Sequence, residues 1–160
     1  MIREFEPNDT NEIIKAARKH VKELKFSEHY PFDDVHFIKY FREYMMKPNT
    51  VGLHYSQGGN IMGYIAGTIG TKMFNPSLHA TIDYFWVDPE ERNKYVADSL
   101  VDAFMRDVRI KGCFYVESSV MSWGKDYAPN EDSIRRASIY FERKGGLPCG
   151  NVFVFDLENA

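Results

Sequence analysis

Cysteine is scarce: two in 160 residues, Cys113 and Cys149. They lack the spacing of paired metal ligands, so a cysteine-held metal site is not expected. Long apolar runs are missing as well. The best candidate, "IMGYIAGTIG", is broken by three glycines and falls well short of the roughly 20 residues that cross a bilayer, which argues against a membrane partner. Positive charge is not concentrated anywhere. Lys and Arg number 20 against 23 Asp and Glu, for a net charge of -3, and their scatter supplies no basic face for nucleic acid. The opening "MIREFEPNDT" is acidic and has no apolar core, so no secretory signal is expected and a reduced, cytoplasmic setting fits best. Repeats, low-complexity tracts and linkers are also absent.

What is present suits one domain over residues 1–160, with 44% hydrophobic and 27% charged residues and enough length for a sizeable core. Aromatics make up 15%, which fits either a large core or a binding cleft.

Periodicity orders the elements. Ile2 to Glu6 alternates weakly. Asp9 followed by Glu12 has the form of a capping box, and Ile13, Ile14, Ala17, Val21 and Leu24 then recur at helical spacing over residues 10 to 25. A second helix begins at Asp33 and Asp34, presents Phe37, Ile38, Phe41, Tyr44 and Met45, and stops before Pro48. From Thr50 the period becomes two: "TVGLHYSQGGNIMGYIAGTIGT" reads as two strands around a turn at Gln57 to Asn60, and "HATIDYFWV" is a third strand ended by Asp88 and Pro89. Val96, Leu100, Val101, Phe104 and Val108 mark a helix of about residues 94 to 111, closed by Gly112. "CFYVESSV" is a strand, "MSWGKDYAPNED" a loop, and Asn130 or Asp132 caps a helix through Ile134, Ala137, Tyr140 and Phe141 that ends at Gly145 and Gly146. "NVFVFDL" is the last strand. The order β-α-α-β-β-β-α-β-α-β gives an α/β or α+β fold, with a mixed, mostly antiparallel central sheet and helices on both faces.

The stretch "VDPEERNKYVADSL" carries the first chemical signal. A strand that turns directly into a helix aims the helix's unpartnered first amides, and the positive end of its dipole, at whatever lies in front. Such a site suits an anion. Arg92, Asn93, Lys94, Tyr95, Val96 and Ala97 are placed to line it, although close approach of backbone to phosphate favours small residues, and Tyr95 is not small. Equally, "PEERNK" reads as the charged, solvated start of an ordinary helix.

Set in the element order, this loop resembles that of the GCN5-related N-acetyltransferase family. The family's strand ends in Val or a similar residue followed by Pro, and its loop runs Gln or Arg, two residues, Gly, one residue, Gly or Ala. Val87, Pro89, Arg92 and Ala97 fit, and Tyr95 stands at the first glycine. "NIMGYIAGTI" is similar to the family's third strand, with Gly63 at its glycine. "ASIYFERKGG" is similar to its C-terminal helix pattern at Ala137, Glu142, Arg143 and Gly145, while Phe141 and Gly146 replace the pattern's Tyr and Phe.

The resemblance implies acetyl-coenzyme A as co-substrate and a primary amine as acceptor, with no metal. The amides of Asn93, Lys94, Tyr95, Val96 and Ala97 would hold the pyrophosphate, with Arg92 at the edge. Phe85, Trp86 and Val87 would run along the pantetheine arm where their strand splays from "CFYVESSV". An amide near Val87 would polarise the carbonyl.

Direct attack on a thioester needs an uncharged amine, hence a base. Asp83 lies four residues before Val87, where the family's histone acetyltransferases carry a catalytic glutamate. Alternation would put it on one face with Phe85 and Val87, where desolvation would raise its pKa. It also reads as an ordinary polar residue bonding across the sheet. Glu117 is the second candidate base, whereas His79 and His54 read as structural or exposed. Tyr140, about 100 degrees around the helix from Phe141, is the remaining candidate acid, or a packing residue. Trp123 and Tyr127 are candidate acceptor contacts. Glu28, Asp33 and Asp34 suit either a cationic substrate or helix capping.

Two functions follow. The first is an acetyl-coenzyme A dependent N-acetyltransferase acting on a small molecule or a protein amino group. The alternative is a catalytically degenerate member of the fold that serves as a coenzyme A-binding or assembly module. Exposed strand edges leave room for a homodimer.

Overall fold

The computed structural model describes residues 1–24, 31–92, 95–119 and 130–149. Contacts divide the chain into two compact units, Met1–Ser118 and Ser119–Ala160. In the first, β1 (Ile2–Glu4), β2 (Thr50–Gln57), β3 (Asn60–Lys72), β4 (Asn75–Val87) and β5 (Tyr115–Ser118) form one sheet in sequential order. β1 to β4 are antiparallel neighbours and β5 joins β4 in parallel. The helices of this unit are α1 (Thr10–Glu23), α2 (Asp34–Met45) and α3 (Val96–Ile110). α4 (Glu131–Arg143) belongs to the second unit, and the expected last strand lies outside the described residues.

Both hairpins of the meander are tight. Gly58 and Gly59 have φ of 59° and 81°, the left-handed pair that a two-residue hairpin turn requires. The second hairpin turns at Met73 and Phe74, pairing Lys72 with Asn75, so β4 begins four residues earlier than its apolar alternation predicts.

Alternation assigns the helices to opposite faces of the sheet. On one face Ile13 and Ala16 of α1 pack with Ile61, Tyr64 and Trp86, joined by Phe5 and by Phe37 and Phe41 of α2. On the other, the fully buried Leu100 and Phe104 of α3 lie where a side chain on Gly63 or Gly67 would have to go. A Cβ on Gly63 would come 3.1 Å from Leu100, and one on Gly67 would come 2.7 Å from Phe104 and 2.2 Å from the Thr81 carbonyl oxygen. These glycines let α3 settle close against β3.

The helix ends follow the sequence with one exception. Asp33 caps α2 by accepting from the His36 amide at 3.0 Å, and Asn130 caps α4 by accepting from the Ser133 amide at 3.2 Å. Asp9 makes no such bond to α1. A 3-10 turn at Pro7–Asp9 points its carboxylate backward, where it accepts from the Glu6 amide at 2.8 Å and from both arms of Arg3. Glu12 instead pairs with Lys15 at 2.7 Å.

Candidate active site

The site is built where β4 leaves β5. The β4–β5 ladder runs from His79↔Tyr115 to Ile82↔Ser118, and β4 continues for five more residues to Val87. Direction along that stretch follows from the antiparallel pairing. The Asp88 amide donates to the Met62 carbonyl at 2.9 Å, so Trp86 turns its polar backbone to β3 while Phe85 and Val87 turn theirs to the other side. The Val87 carbonyl accordingly accepts from Arg92 Nε at 3.0 Å. Among the three strand residues expected along a pantetheine arm, Phe85 and Val87 therefore direct their backbone groups away from β3, and Trp86 directs its own toward it.

After Val87 comes a 3-10 turn, Pro89–Glu91, capped by Asp88 through the Glu90 amide at 3.2 Å. Asp88 is buried and pairs with Lys19 of α1 at 2.6 Å. Burial works to raise the pKa of its carboxyl, but Lys19 and the Glu90 amide outweigh it and hold the group below the ordinary carboxylate range. This acid is thus neutralised on the α1 side. Among the described residues, the first intrahelical bond of α3 runs from the Ser99 amide to the Tyr95 carbonyl at 2.9 Å, and the amides of Val96 and Ala97 belong to the helix's first turn, ahead of that bond. Asn93 and Lys94 lie outside the described residues.

Tyr95 occupies the helix N-cap with φ -72° and ψ 0°, a conformation any residue adopts, so the position makes no conformational demand for glycine. Its hydroxyl lies 2.7 Å from that of Tyr55 on β2, with the two rings edge to face at 5.8 Å. The bulky ring is held against the sheet by a named partner.

Arg92 and Trp86 converge on Glu23, the last residue of α1. Glu23 Oε2 accepts from Arg92 Nη2 at 2.5 Å and from Trp86 Nε1 at 3.2 Å. Together with its bond to the Val87 carbonyl, this makes Arg92 a strut between α1 and the end of β4. Nothing in the sequence pattern marked Glu23 for this role.

Asp83 is displaced from its expected face by a β-bulge. Ala66 pairs with Tyr84 and Gly67 with Ile82, so Asp83 is the extra residue. Such an insertion interrupts the period of two. Ile82 lies on the α3 side opposite Gly67, as do Phe85 opposite Ile65 and Val87 opposite Gly63, whereas Asp83 and the next residue, Tyr84, both meet α2. Asp83 Oδ2 accepts from Tyr44 Oη at 2.6 Å and from Thr68 Oγ1 at 3.0 Å. The shared face with Phe85 and Val87 and the desolvated setting are therefore not found: Asp83 is exposed, on the α1/α2 side, one residue beyond the end of the β4–β5 ladder.

The tyrosines around it were not singled out by the sequence. Tyr40 and Tyr84 hydroxyls lie 3.1 Å apart, and the Tyr44 and Tyr84 rings meet edge to face at 5.6 Å. Burial raises the pKa of Tyr44, and its bond to Asp83 adds to this. Burial likewise raises that of Tyr84, with Tyr40 contributing. These rings form one wall of a cavity of about 230 Å³ between α1, α2 and the sheet, floored by residues such as Phe5, Ile13, Ala17 and Ala66. His20 Nδ1 and Tyr64 Oη, 2.6 Å apart, are paired with each other there. Burial lowers the His20 pKa to about 4, against a raising influence from Glu23 and with a further lowering from Arg92.

Glu117 is committed to Lys72 at 2.6 Å. His79 stacks on Tyr115 at 5.4 Å. His54 is fully buried, stacks on Phe5 at 4.9 Å, and sits 3.4 Å from Asp9. Tyr140 lies on α4 in the second unit, where its ring meets Phe141 edge to face at 5.6 Å. Trp123, Tyr127 and Glu28 lie outside the described residues. Asp34 accepts from Arg18 Nε and Nη2, and Asp33 caps α2. No described helix is long and apolar enough to cross a membrane, and the described residues include no group of three His, Cys, Asp or Glu that could hold a metal ion.

Comparison with solved structures finds the same fold at low sequence identity. A transcriptional regulator from Bacillus halodurans C-125 is 16% identical with a TM-score of 0.77, covering 98% of this chain and 99% of that one. Glucosamine-6-phosphate N-acetyltransferase from Arabidopsis thaliana is 17% identical at 0.71, covering 98% and 97%. Ribosomal-protein-alanine N-acetyltransferase from Brucella melitensis biovar Abortus 2308 is 13% identical at 0.70, covering 98% of each chain. No sequence among the curated proteins matches. The acetyltransferase (GNAT) family is matched over residues 17–134, a span that runs from the second half of α1 through β2 to β4, the loop into α3 and β5 to the start of α4. The chain belongs to the acetyltransferase (GNAT) family, and with that membership goes acetyl transfer as its general activity.

Proposed function

We propose that the chain transfers the acetyl group of acetyl-coenzyme A to a primary amine by direct attack within a ternary complex, as one domain spanning residues 1–160. The observation that carries this reading is the arrangement around the end of β4: a ladder that stops at Ile82, a carboxylate at the next position, and a turn that delivers the start of α3.

The residues present fit the co-substrate. The amides of Val96 and Ala97 precede the α3 hydrogen-bond ladder and suit a pyrophosphate, Asp88 is neutralised by Lys19, and Tyr95 is held on Tyr55. Phe85 and Val87 turn backbone groups away from β3, as an extended arm lying beside β4 requires. When bound, acetyl-coenzyme A supplies the activated acetyl thioester. Asp83 accepts the proton of the incoming ammonium, directly or through water, and the Tyr44 and Thr68 hydroxyls fix the carboxylate in place. Arg92 contributes by bracing Val87 and α1, so its effect on the co-substrate is positional.

Titration calorimetry with acetyl-coenzyme A tests the reading. Binding in the micromolar range is expected, and no heat at high micromolar concentration overturns it. Asp83→Asn is expected to keep co-substrate binding while kcat falls by about 10²–10⁴-fold, the usual worth of a positioned general base. Full activity in that variant would remove Asp83 from the role.

A further inference from the structure

Resting on the amine-acetylation reading, we infer that the cavity between α1, α2 and the sheet is the seat of the acceptor's body, and that the acceptor is a small primary amine with a single aryl or similarly compact apolar group. Three observations carry this. The first is size: about 230 Å³ exceeds the roughly 150 Å³ that holds a benzene ring in an apolar protein cavity, leaving room for a short alkyl arm but not for several linked rings.

The second is the chemistry of the walls. Phe37, Phe41, Tyr44, Tyr84 and Ala66 present carbon, and the inner polar atoms, His20 Nδ1 and Tyr64 Oη, are already paired at 2.6 Å. A sugar ring placed there would leave hydroxyls without partners, which costs several times what a buried hydrogen bond contributes. An aryl ring instead extends edge-to-face contacts that the walls already make, Phe5 on Phe41 at 5.0 Å and Tyr44 on Tyr84 at 5.6 Å.

The third is the position of charge and of the opening. Tyr40 and Tyr84, 49% and 39% exposed, bring the cavity to the surface. The Asp83 carboxylate sits at that rim, bonded to Tyr44 at 2.6 Å. The ring of Tyr44 already carries Lys47 Nζ at 5.9 Å, so the partner matched to an incoming ammonium is the carboxylate. Body in the cavity and amine at Asp83 then form one axis, directed to the point where the β4–β5 ladder stops.

The test compares phenethylamine with glucosamine and kanamycin on the full chain, first by calorimetric binding without co-substrate and then by acetylation with acetyl-coenzyme A. Phenethylamine is expected to bind at least about 10-fold more tightly than either sugar amine, a discrimination within reach of one apolar pocket. Ala17→Leu, which fills the floor, is expected to weaken phenethylamine binding about 10-fold while the variant's circular dichroism stays native. Equal binding of aryl and sugar amines, or unchanged phenethylamine binding in the folded variant, overturns the inference. If Ala17→Leu does not fold, the comparison among the three amines on the parent chain decides alone. Phenethylamine binding with no acetylation of any amine would sink the transfer reading and leave the cavity assignment standing. Acetylation of sugar amines without phenethylamine binding would do the reverse.

Discussion

The two faces of the sheet are packed to different rules. Against α3 the chain is close-packed: Leu100 and Phe104 lie over glycines at 63 and 67, and Ile65 is fully buried. Against α1 and α2 it is loosely filled and aromatic, with a cavity, a rim of hydroxyls and a carboxylate. Both faces are apolar overall, so hydrophobicity alone does not separate them. What separates them is whether the space between layers is filled, and the unfilled face is the one suited to a ligand.

Breaking the tight face has the largest expected effect. Phe104→Ala removes a fully buried ring from a layer that cannot collapse around the gap, and a loss of about 3–5 kcal/mol is expected from urea unfolding.

The open face should show itself through pH. His20 titrates at about 4 when folded and near 6.5 when unfolded, so the unfolded chain takes up its proton first. Its contribution is therefore complete above about pH 6.5 and is lost as pH falls toward 4, by up to about 3 kcal/mol. Unfolding curves between pH 7 and pH 4 measure this, and a His20→Gln variant should flatten the dependence in that window. A dependence that persisted unchanged would assign it to other groups.

A smaller change sharpens the contrast at the entrance to α2. Asp33→Ala removes the cap on the His36 amide, with an expected cost of about 1 kcal/mol in stability and no change in the kcat of Asp83-dependent transfer. A reduction in kcat instead would give Asp33 the cation-binding role that the sequence left open. Smallest of all is Glu117→Gln. Its ion pair with Lys72 is nearly half exposed on both sides, so stability should barely move and activity should not follow Asp83→Asn downward.

Much of this frame was legible beforehand. The buried stripe of α3, the Gly58–Gly59 turn, the Asp33 cap and the loop from Val87 are local patterns, and local patterns survive folding. The site was legible only as a list of positions. Asp83 was found by its spacing from Val87, yet its neighbours could not be, because one bulged residue turns it to α2 and Tyr44 lies 39 positions away. Glu23 shows the same limit. Its partners Arg92 and Trp86 are 69 and 63 residues distant, and no periodicity encodes such a junction. Tyr95 shows the converse: the sequence made it an obstacle, and the fold supplied Tyr55 to hold it.

The bulge at Asp83 also has a meaning for mutational tolerance. Before it, even-numbered positions of β4 such as Ala80 and Ile82 face α3; after it, even-numbered Tyr84 and Trp86 face the other way. A single strand thus carries two phases: the residues facing α3 are even-numbered before the bulge, Ala80 and Ile82, and odd-numbered after it, Phe85 and Val87, so a scan of substitutions too large for the α3 layer should swap parity at 83. Removing that one residue would exchange the α3-facing and α1/α2-facing side chains of one half of β4, so a deletion there disturbs both layers at once where an exchange of one side chain disturbs one.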